Sequence, residues 1–325
     1  MTSYILRRLM QSAIVVFAMT AIVFFAVNVI GDPVEMYAHD LCNQLCRAEI
    51  VKSLGLEGPI HQQYIGFLTS ALRGDLGASF RLGVPSVQAI LDRLPATLEL
   101  AVFAMLLTVM LGIPLGLWAG LKPRSIAGRL IMGGSVIGFS LPSFWVGLML
   151  ILIFALGFGW FPTTGRGATR VIFGVEFSFL TLDGLHHMVL PAVNLSLYFM
   201  ALLVRLVRAG VREALLADYV KFAHAKGLRW RRVVFLHVLK NIMIPIVTVL
   251  GLEFGGLLAF AVITETIFAW PGMGKLLIDS IHVLDRPIIV AYLMLSVFFF
   301  ILINLAVDIA YSFIDPRVRL QRARA

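Results

Sequence analysis

"DYVKFAHAKGLRWRRVVFLHVLKNIMIPIVT", residues 218–248, sets a polar, cationic segment directly against an apolar run. It stands in a chain of 325 residues that is 60% hydrophobic and 14% charged, with a mean hydropathy of +0.93. A soluble domain carries about 25% charged residues. Nine Lys and Arg lie between Arg205 and Lys240. Each costs ~2.5–3.5 kcal/mol at the centre of a bilayer, so this segment stays outside the hydrocarbon. Inside the segment, Tyr219, Phe222 and Ala223 share one helical face, while Asp218, Lys221 and Ala225 turn away from it. Gly227 suits a helix C-terminus, because it takes φ > 0 without a Cβ penalty. The expected arrangement is a short helix, a glycine turn and a second helix from Trp230 that leads into the membrane. Such an amphipathic element has two uses, lying on lipid headgroups or docking into a groove on a partner.

Working outward, apolar runs of about 20 residues, enough to cross a ~30 Å core, recur along the chain. We read six, over residues 9–30, 98–120, 130–156, 189–210, 241–269 and 288–312. An even number places both termini on one side. That side holds eighteen of the 27 Lys and Arg, among them Arg7, Arg8, Lys122, Arg124 and the arginines after Asp315. Cationic loops stay in the cytoplasm, so both termini are expected there. The formal charge of +9 is thus a topology signal and gives no reason to invoke nucleic acid. The first run, Leu9–Ile30, is too long for a signal-peptide core and no small-residue cleavage site follows, which reads as an uncleaved span.

The segment 31–97 is expected outside, with short helices on the rim; Tyr64, Ile65, Leu68 and Leu72 recur at helical spacing before "RGDLG" breaks the pattern. Cys42 and Cys46 lie there, in a compartment that permits disulfides, and a bridge between them requires a turn; two free thiols are the alternative. Trp145, Trp160 and Trp270 fall near span ends, as interfacial aromatics do. "GIPLG", "FSLPSFW" and "IMIPIVT" punctuate spans and suggest kinked helices around a cavity.

The stretch from Asp218 resembles the coupling-loop motif of binding-protein-dependent ABC importer permeases, in the form used by the dipeptide/oligopeptide/nickel family. In order along the chain, "ILRRL", "RGDLGASF", "ATLELAVFAMLLTVMLGIPLGLWAGLK", "FSLPSFWVGLMLILIFAL", "GWFPTTGR", "HHMVLPAV", "ITETIFAWPGMGKLLIDSI" and "DPRVR" are similar to that family too. The large segment after the first span resembles the B-type member of its paired permeases. One departure is visible. Lys221, Phe222 and Ala223 hold the places of the general Glu-Ala-Ala motif, and His237–Lys240 those of its later Ile-x-Leu-Pro. An acidic contact made in other branches is therefore not implied.

The resemblance implies an all-α polytopic membrane protein of type I ABC importer permease architecture, with six transmembrane helices and periplasmic short helices after the first. Residues 1–97 would form the first span plus periplasmic segment, and 98–325 the permease core. The implied function is passage of a peptide or peptide-like solute across the bacterial inner membrane. The implied partners are a second homologous permease, two cytoplasmic ABC ATPases and a periplasmic or lipid-anchored solute-binding protein. Asp218, Tyr219, Lys221, Phe222, Ala223, His224, Lys226, Gly227 and Leu228 would carry ATPase coupling. No cofactor is expected in this chain, ATP and Mg belonging to the partner. In agreement, "AWPGMGKL" has Ala269 and Leu276 where a P-loop needs Gly and a hydroxyl.

An enzyme is disfavoured, since "GGSVI" lacks the second Gly of G-x-S-x-G and no metal-ligand spacing occurs. The competing class is a secondary transporter or channel driven by an ion gradient. Ionisable groups inside spans are functional candidates. Glu253, in "GLEFGG", is either a path carboxylate favouring cationic groups or a structural group. Glu265 is expected to shape the periplasmic gate. Asp308 is read as structural, His186 and His187 as interfacial, and Asn194 and Asn304 as interhelical hydrogen-bonding groups.

Overall fold

The computed structural model describes residues 2–29 and 58–314, with Gln44 between them. Cys42 and Cys46 lie outside the described residues, as does the side chain of Asp308. The chain divides into two units, Met1–Arg93 with Leu276–Leu302, and Leu94–Lys275 with Ile303–Ala325.

Helices dominate both. In chain order they are α1 (Thr2–Val29), α2 (Ile60–Leu72), α3 (Ser86–Leu121), α4 (Ile126–Ser140) and α5 (Ser143–Leu150). A π-helical turn, Ile151–Gly157, follows α5, and then a small antiparallel hairpin of β1 (Arg170–Ile172) and β2 (Val175–Phe177). The chain continues with α6 (Leu182–Leu216), α7 (Asp218–Ala225) and α8 (Trp230–Arg232). After a second π turn, Val233–Leu239, come α9 (Lys240–Ile267), α10 (Met273–His282) and α11 (Arg286–Ile314). Among the described residues four helices are long and apolar enough to cross a membrane: Ser86–Leu121, Leu182–Leu216, Trp230–Ile267 and the Arg286–Ala306 part of α11. α1 contributes the apolar stretch Ala13–Phe25.

In the first unit, α2 packs on α1. Thr20 and Tyr64 share a hydrogen bond at 2.8 Å, and the Phe24 ring meets those of Tyr64 and Phe67. The contact face thus runs through Tyr64 and Phe67, whereas Ile65 and Leu72, which recur with Tyr64 at helical spacing, are exposed. "RGDLGASF" then folds back through Gly74 and Gly77, both at positive φ. It is hooked by Asp285, whose carboxylate accepts from Ser79 Oγ at 2.5 Å and sits beside the Phe80 and Arg81 amides.

In the second unit the backbone of α3 lies against α6. A Cβ at Gly112 would stand 2.9 Å from Leu203, one at Gly116 2.6 Å from Val207, and one at Gly120 2.7 Å from Val211. Small residues every four let membrane helices approach this closely. The "GIPLG" glycines therefore serve a tight contact and do not open a cavity. The pairs also advance in the same direction along both helices, so α3 and α6 are parallel. A chain leaving the end of α3 at Leu121 must return to the opposite end before α6 begins at Leu182. The segment that does so is Ile126–Gly157, which breaks at Leu141–Pro142 with a bend of 110°. Both residues are extended, and Pro142 has no N–H to carry the helix through. The expected single span at 130–156 is thus one crossing in two sharply angled pieces. α9 closes the unit antiparallel to α6, with Asn194 Nδ2 donating to Thr264 Oγ1 at 3.0 Å near one end and Gly210 against Ile242 near the other.

Trp270, expected at an interface, is fully buried and donates its indole N–H to the Ala96 carbonyl at 2.9 Å. Gly116→Ala is expected to destabilise by ~1–3 kcal/mol, because its methyl meets the Val204 carbonyl oxygen and Val207. Gly133→Ala, inside α4 with open space around it, gains up to ~1 kcal/mol of helix propensity. Thermal unfolding of the two variants in detergent separates these signs.

Candidate functional site

Two regions of the second unit carry the chemistry read from the sequence. One lies at the C-terminal end of α6 and the other beside its middle. The first begins where α6 stops: a single extended residue, Ala217, separates Leu216 from α7. The end of α7 satisfies its carbonyls with a Schellman motif. Gly227, at φ +74°, donates its N–H to His224 at 2.9 Å, and Leu228 donates to Ala223 at 3.3 Å. Val220 (2% exposed) and Ala223 (5%) drop into the cluster formed by Leu203, Val207, Val211, Val233 and Ile242. Leu228 packs against the same cluster.

Ala223 thus leaves the face that its spacing shares with Tyr219 and Phe222. Tyr219 (40% exposed) and Phe222 (64%) point away from the core, while their neighbours Val220 and Ala223 face it. The two aromatics continue, with exposed Leu216, an outward apolar stripe at three-residue spacing. Cations border the stripe. Lys226 Nζ stands 4.9 Å from the Phe222 ring, and Lys221 Nζ bonds Asp218 at 2.8 Å. That hydrogen bond, with the attraction of the ammonium, holds the Asp218 carboxyl below the usual carboxylate range. His224 and Trp230 stack at 5.1 Å across the turn, bracing α7 against the next helix. All nine residues expected here are thus brought to one knob, with two roles: Val220, Ala223 and Leu228 anchor it, and Tyr219, Phe222, Lys221 and Lys226 face outward. Val220 was missed because its spacing was read against the aromatics.

The second region is a cavity of about 290 Å³ at the elbow of the broken span. Phe139, Ser140 and Ser143 form one wall; Asn194, Tyr198 and Phe260 face them from α6 and α9. The rings of Phe139 and Tyr198 stack at 4.9 Å, and Arg205 lies over the far side of this pair, 4.3 Å from Phe139. Glu253 does not line the cavity but stands near it. From the point where a Cβ of Gly256 would sit, Glu253 Oε2 is 3.7 Å away and the Phe199 ring, which does line the cavity, 4.0 Å. Glu253 is half-buried and has no hydrogen bond or ion pair among the described residues.

Glu265 behaves differently. It is completely buried and accepts from Thr97 Oγ1 at 2.6 Å and from the Lys275 amide at 2.9 Å. Thr97 in turn accepts from the Met273 amide at 2.9 Å, and a side chain at Gly272 would collide with the carboxylate. Glu265 therefore caps the first turn of α10 from the neighbouring helix, as an anchoring group. Glu99 is a buried carboxylate that sequence reasoning passed over. It accepts from Arg166 and from the Ser178 and Phe179 amides, each at 2.7 Å. Its partners are 67 and more residues away, a distance no local pattern reports. His186 binds the Trp160 carbonyl at 2.6 Å and His187 that of Asp183 at 2.9 Å, consistent with structural surface roles. Among the described residues no group of three His, Cys, Asp or Glu could hold a metal.

Comparisons with known proteins agree with this architecture. Residues 112–320 match the family described as binding-protein-dependent transport system inner membrane component, and residues 1–101 match the N-terminal model of such membrane components. The chain is 39% identical to a di/tripeptide transport system permease protein of Pseudomonas aeruginosa, covering 99% of this chain and all of that one. It is 35% identical to an oligopeptide transport system permease protein of Bacillus subtilis, over 98% of this chain and 99% of the relative. A glutathione transport system permease protein of Escherichia coli is 34% identical, with the same coverage. In fold it is similar to a chain of the MetNI methionine ABC transporter solved in inward-facing conformations, with a TM-score of 0.53 at 14% identity, covering 70% of this chain and 97% of that one. The chain belongs to the binding-protein-dependent transport system inner membrane component family.

Proposed function

We propose that this chain is one of two paired permeases of an ATP-driven importer for peptides or peptide-like solutes, worked through the knob at 218–228. The solute class rests on the di/tripeptide, oligopeptide and glutathione permeases it resembles over their full length. The observation that carries the coupling role is the division of labour on α7, where Val220 and Ala223 are fixed in the core while Tyr219 and Phe222, with Leu216 at the end of α6, face outward. An apolar stripe of this kind fits a groove on a partner. The distribution of Lys and Arg supports placing that end, and both termini, in the cytoplasm.

In this reading a periplasmic or lipid-anchored binding protein delivers solute to the outer ends of the two permeases. Two ATPases hold one knob each. ATP does work only if it binds one arrangement of the assembly more tightly than the other, because equal affinity shifts nothing. That difference reaches the spans as a displacement of α7, and α7 cannot move without Val207 and Val211 of α6. The cavity at the elbow offers the solute an aromatic wall, and the unpaired Glu253 behind Phe199 offers a partner to a cationic group.

Two measurements test the proposal. Phe222→Asp should reduce ATPase co-purification and ATP-dependent uptake at least about tenfold, about 1.4 kcal/mol of lost docking. Asp218→Asn, which breaks only an exposed pair, should change both less than about twofold. Unaltered assembly in Phe222→Asp, or solute uptake by the permeases alone in liposomes along an ion gradient, would replace this reading with a secondary transporter. For Glu253→Gln, uptake of a cationic dipeptide should fall several-fold relative to a neutral one. Equal rates for both would leave Glu253 without a part in solute passage.

A further inference from the structure

The hairpin between the broken span and α6 has no part in the mechanism above, yet its tip is built at a cost. Strands β1 and β2 pair Ile172 with Val175, leaving a two-residue turn of Phe173 and Gly174. Both take positive φ, +50° and +79°, as the tight hairpin turn requires. Glycine and asparagine adopt that conformation readily; a phenylalanine seldom does. Phe173 is also completely exposed, at 102%. Val171 and Ile172 in the strand before it, and Phe179 and Leu182 beyond the hairpin's base, are exposed as well.

This is not a slack loop. Glu99 grips its base through Arg166, Ser178 and Phe179, and Arg166 also donates to the Glu176 carbonyl at 2.8 Å. Ala168 donates to Asp183 at 2.6 Å and Thr181 Oγ1 to the Ala168 carbonyl at 2.6 Å. A side chain at Gly184 would strike the Ser178 carbonyl, so hairpin and helix are seated closely.

These bonds also fix the depth of the hairpin. From Leu98 to Leu121, Glu99 is the one charged residue; in α6 the uncharged run starts at Met188, just after Asp183, His186 and His187. The base is therefore pinned where two spans enter the hydrocarbon, at the end of α6 opposite the knob. The same connection carries a second exposed aromatic pair, Phe158 and Trp160, stacked at 4.7 Å beside the end of the broken span. Aromatic rings gather at this level of a bilayer, where headgroups meet acyl chains. Arg170 stands in the pair at the open end of the hairpin and Glu176 opposite Val171 in the middle, whereas Ile172, Phe173 and Val175 form an uncharged closed end.

We propose that the hairpin 170–177 is a lipid anchor, with Phe173 seated in the headgroup–acyl boundary of the leaflet opposite the knob. Removal of apolar surface from water there offsets the unfavourable turn conformation. The inference requires only that the chain spans a bilayer, and stands whichever solute is carried.

The test is a nitroxide attached to Phe173→Cys, in a Cys42→Ser, Cys46→Ser background of the assembled transporter in liposomes. Collision rates with oxygen, which concentrates in lipid, are compared with those of a nickel chelate that stays in water. Oxygen collisions should exceed nickel collisions several-fold at 173, and likewise at Ile172→Cys, while the same label at Arg170→Cys, in the pair at the open end, shows less preference. Nickel collisions dominating at both 173 and 172 would overturn the proposal by placing the tip in water. Labels shielded from both reagents, or shielded only when the solute-binding protein is added, would overturn it equally, by showing that protein covers the tip.

Discussion

The close packing of α3 on α6 is the contact from which the other arrangements in the second unit follow. It exists because three glycines, four residues apart, present bare backbone to Leu203, Val207 and Val211. In hydrocarbon there is no water to expel from between two helices, so dispersion at short range supplies the attraction, and short range demands the absence of Cβ atoms. Once the two helices run parallel, the intervening chain has no choice but to cross back. It does so through a proline-broken element, and the elbow of that element is where the cavity lies.

The same packing separates the two ends of the unit into distinct tasks. At one end α6 hands over to α7 through Ala217 alone, and Val220 and Ala223 enter the cluster that α6 shares with α9. At the other, Glu99 and Glu265 are buried carboxylates that hold loops, each satisfied by backbone amides and one side chain. Burying a carboxylate is tolerable only with such partners. Asp285 repeats the device in the first unit, where it gathers Ser79 and two amides. Acids that read as candidates for chemistry thus divide: Glu265 is consumed by architecture, and Glu253 is left with an uncommitted carboxylate.

Much of this was legible in the sequence, for identifiable reasons. Long apolar runs mark spans irrespective of context, and the cationic segment after Arg205 could lie nowhere but outside the hydrocarbon. Gly227 announced the end of α7 because the Schellman motif needs a residue free to take positive φ. The details that were misjudged all depend on distant partners. On α7, Ala223 shares helical spacing with Tyr219 and Phe222, yet it turns with Val220 into the core, where small side chains fit against Val207 and Val211. Trp270 sits near a span end as interfacial tryptophans do, but the Ala96 carbonyl, 174 residues earlier, claims its indole. Proline at 142 pointed to a kink; the break is larger, 110°, because Leu141 beside it is extended as well.

The one-residue joint at Ala217 has a mechanical corollary. Beyond Pro191, α6 runs unbroken from Ala192 to Leu216, a rod of ~37 Å at 1.5 Å per residue. Rotating such a rod by only ~5° about its far end sweeps the near end through roughly 3 Å. With α3 locked alongside by its glycines, the pair would swing as a single beam, so a small shove at the knob becomes a change of angle beside the elbow.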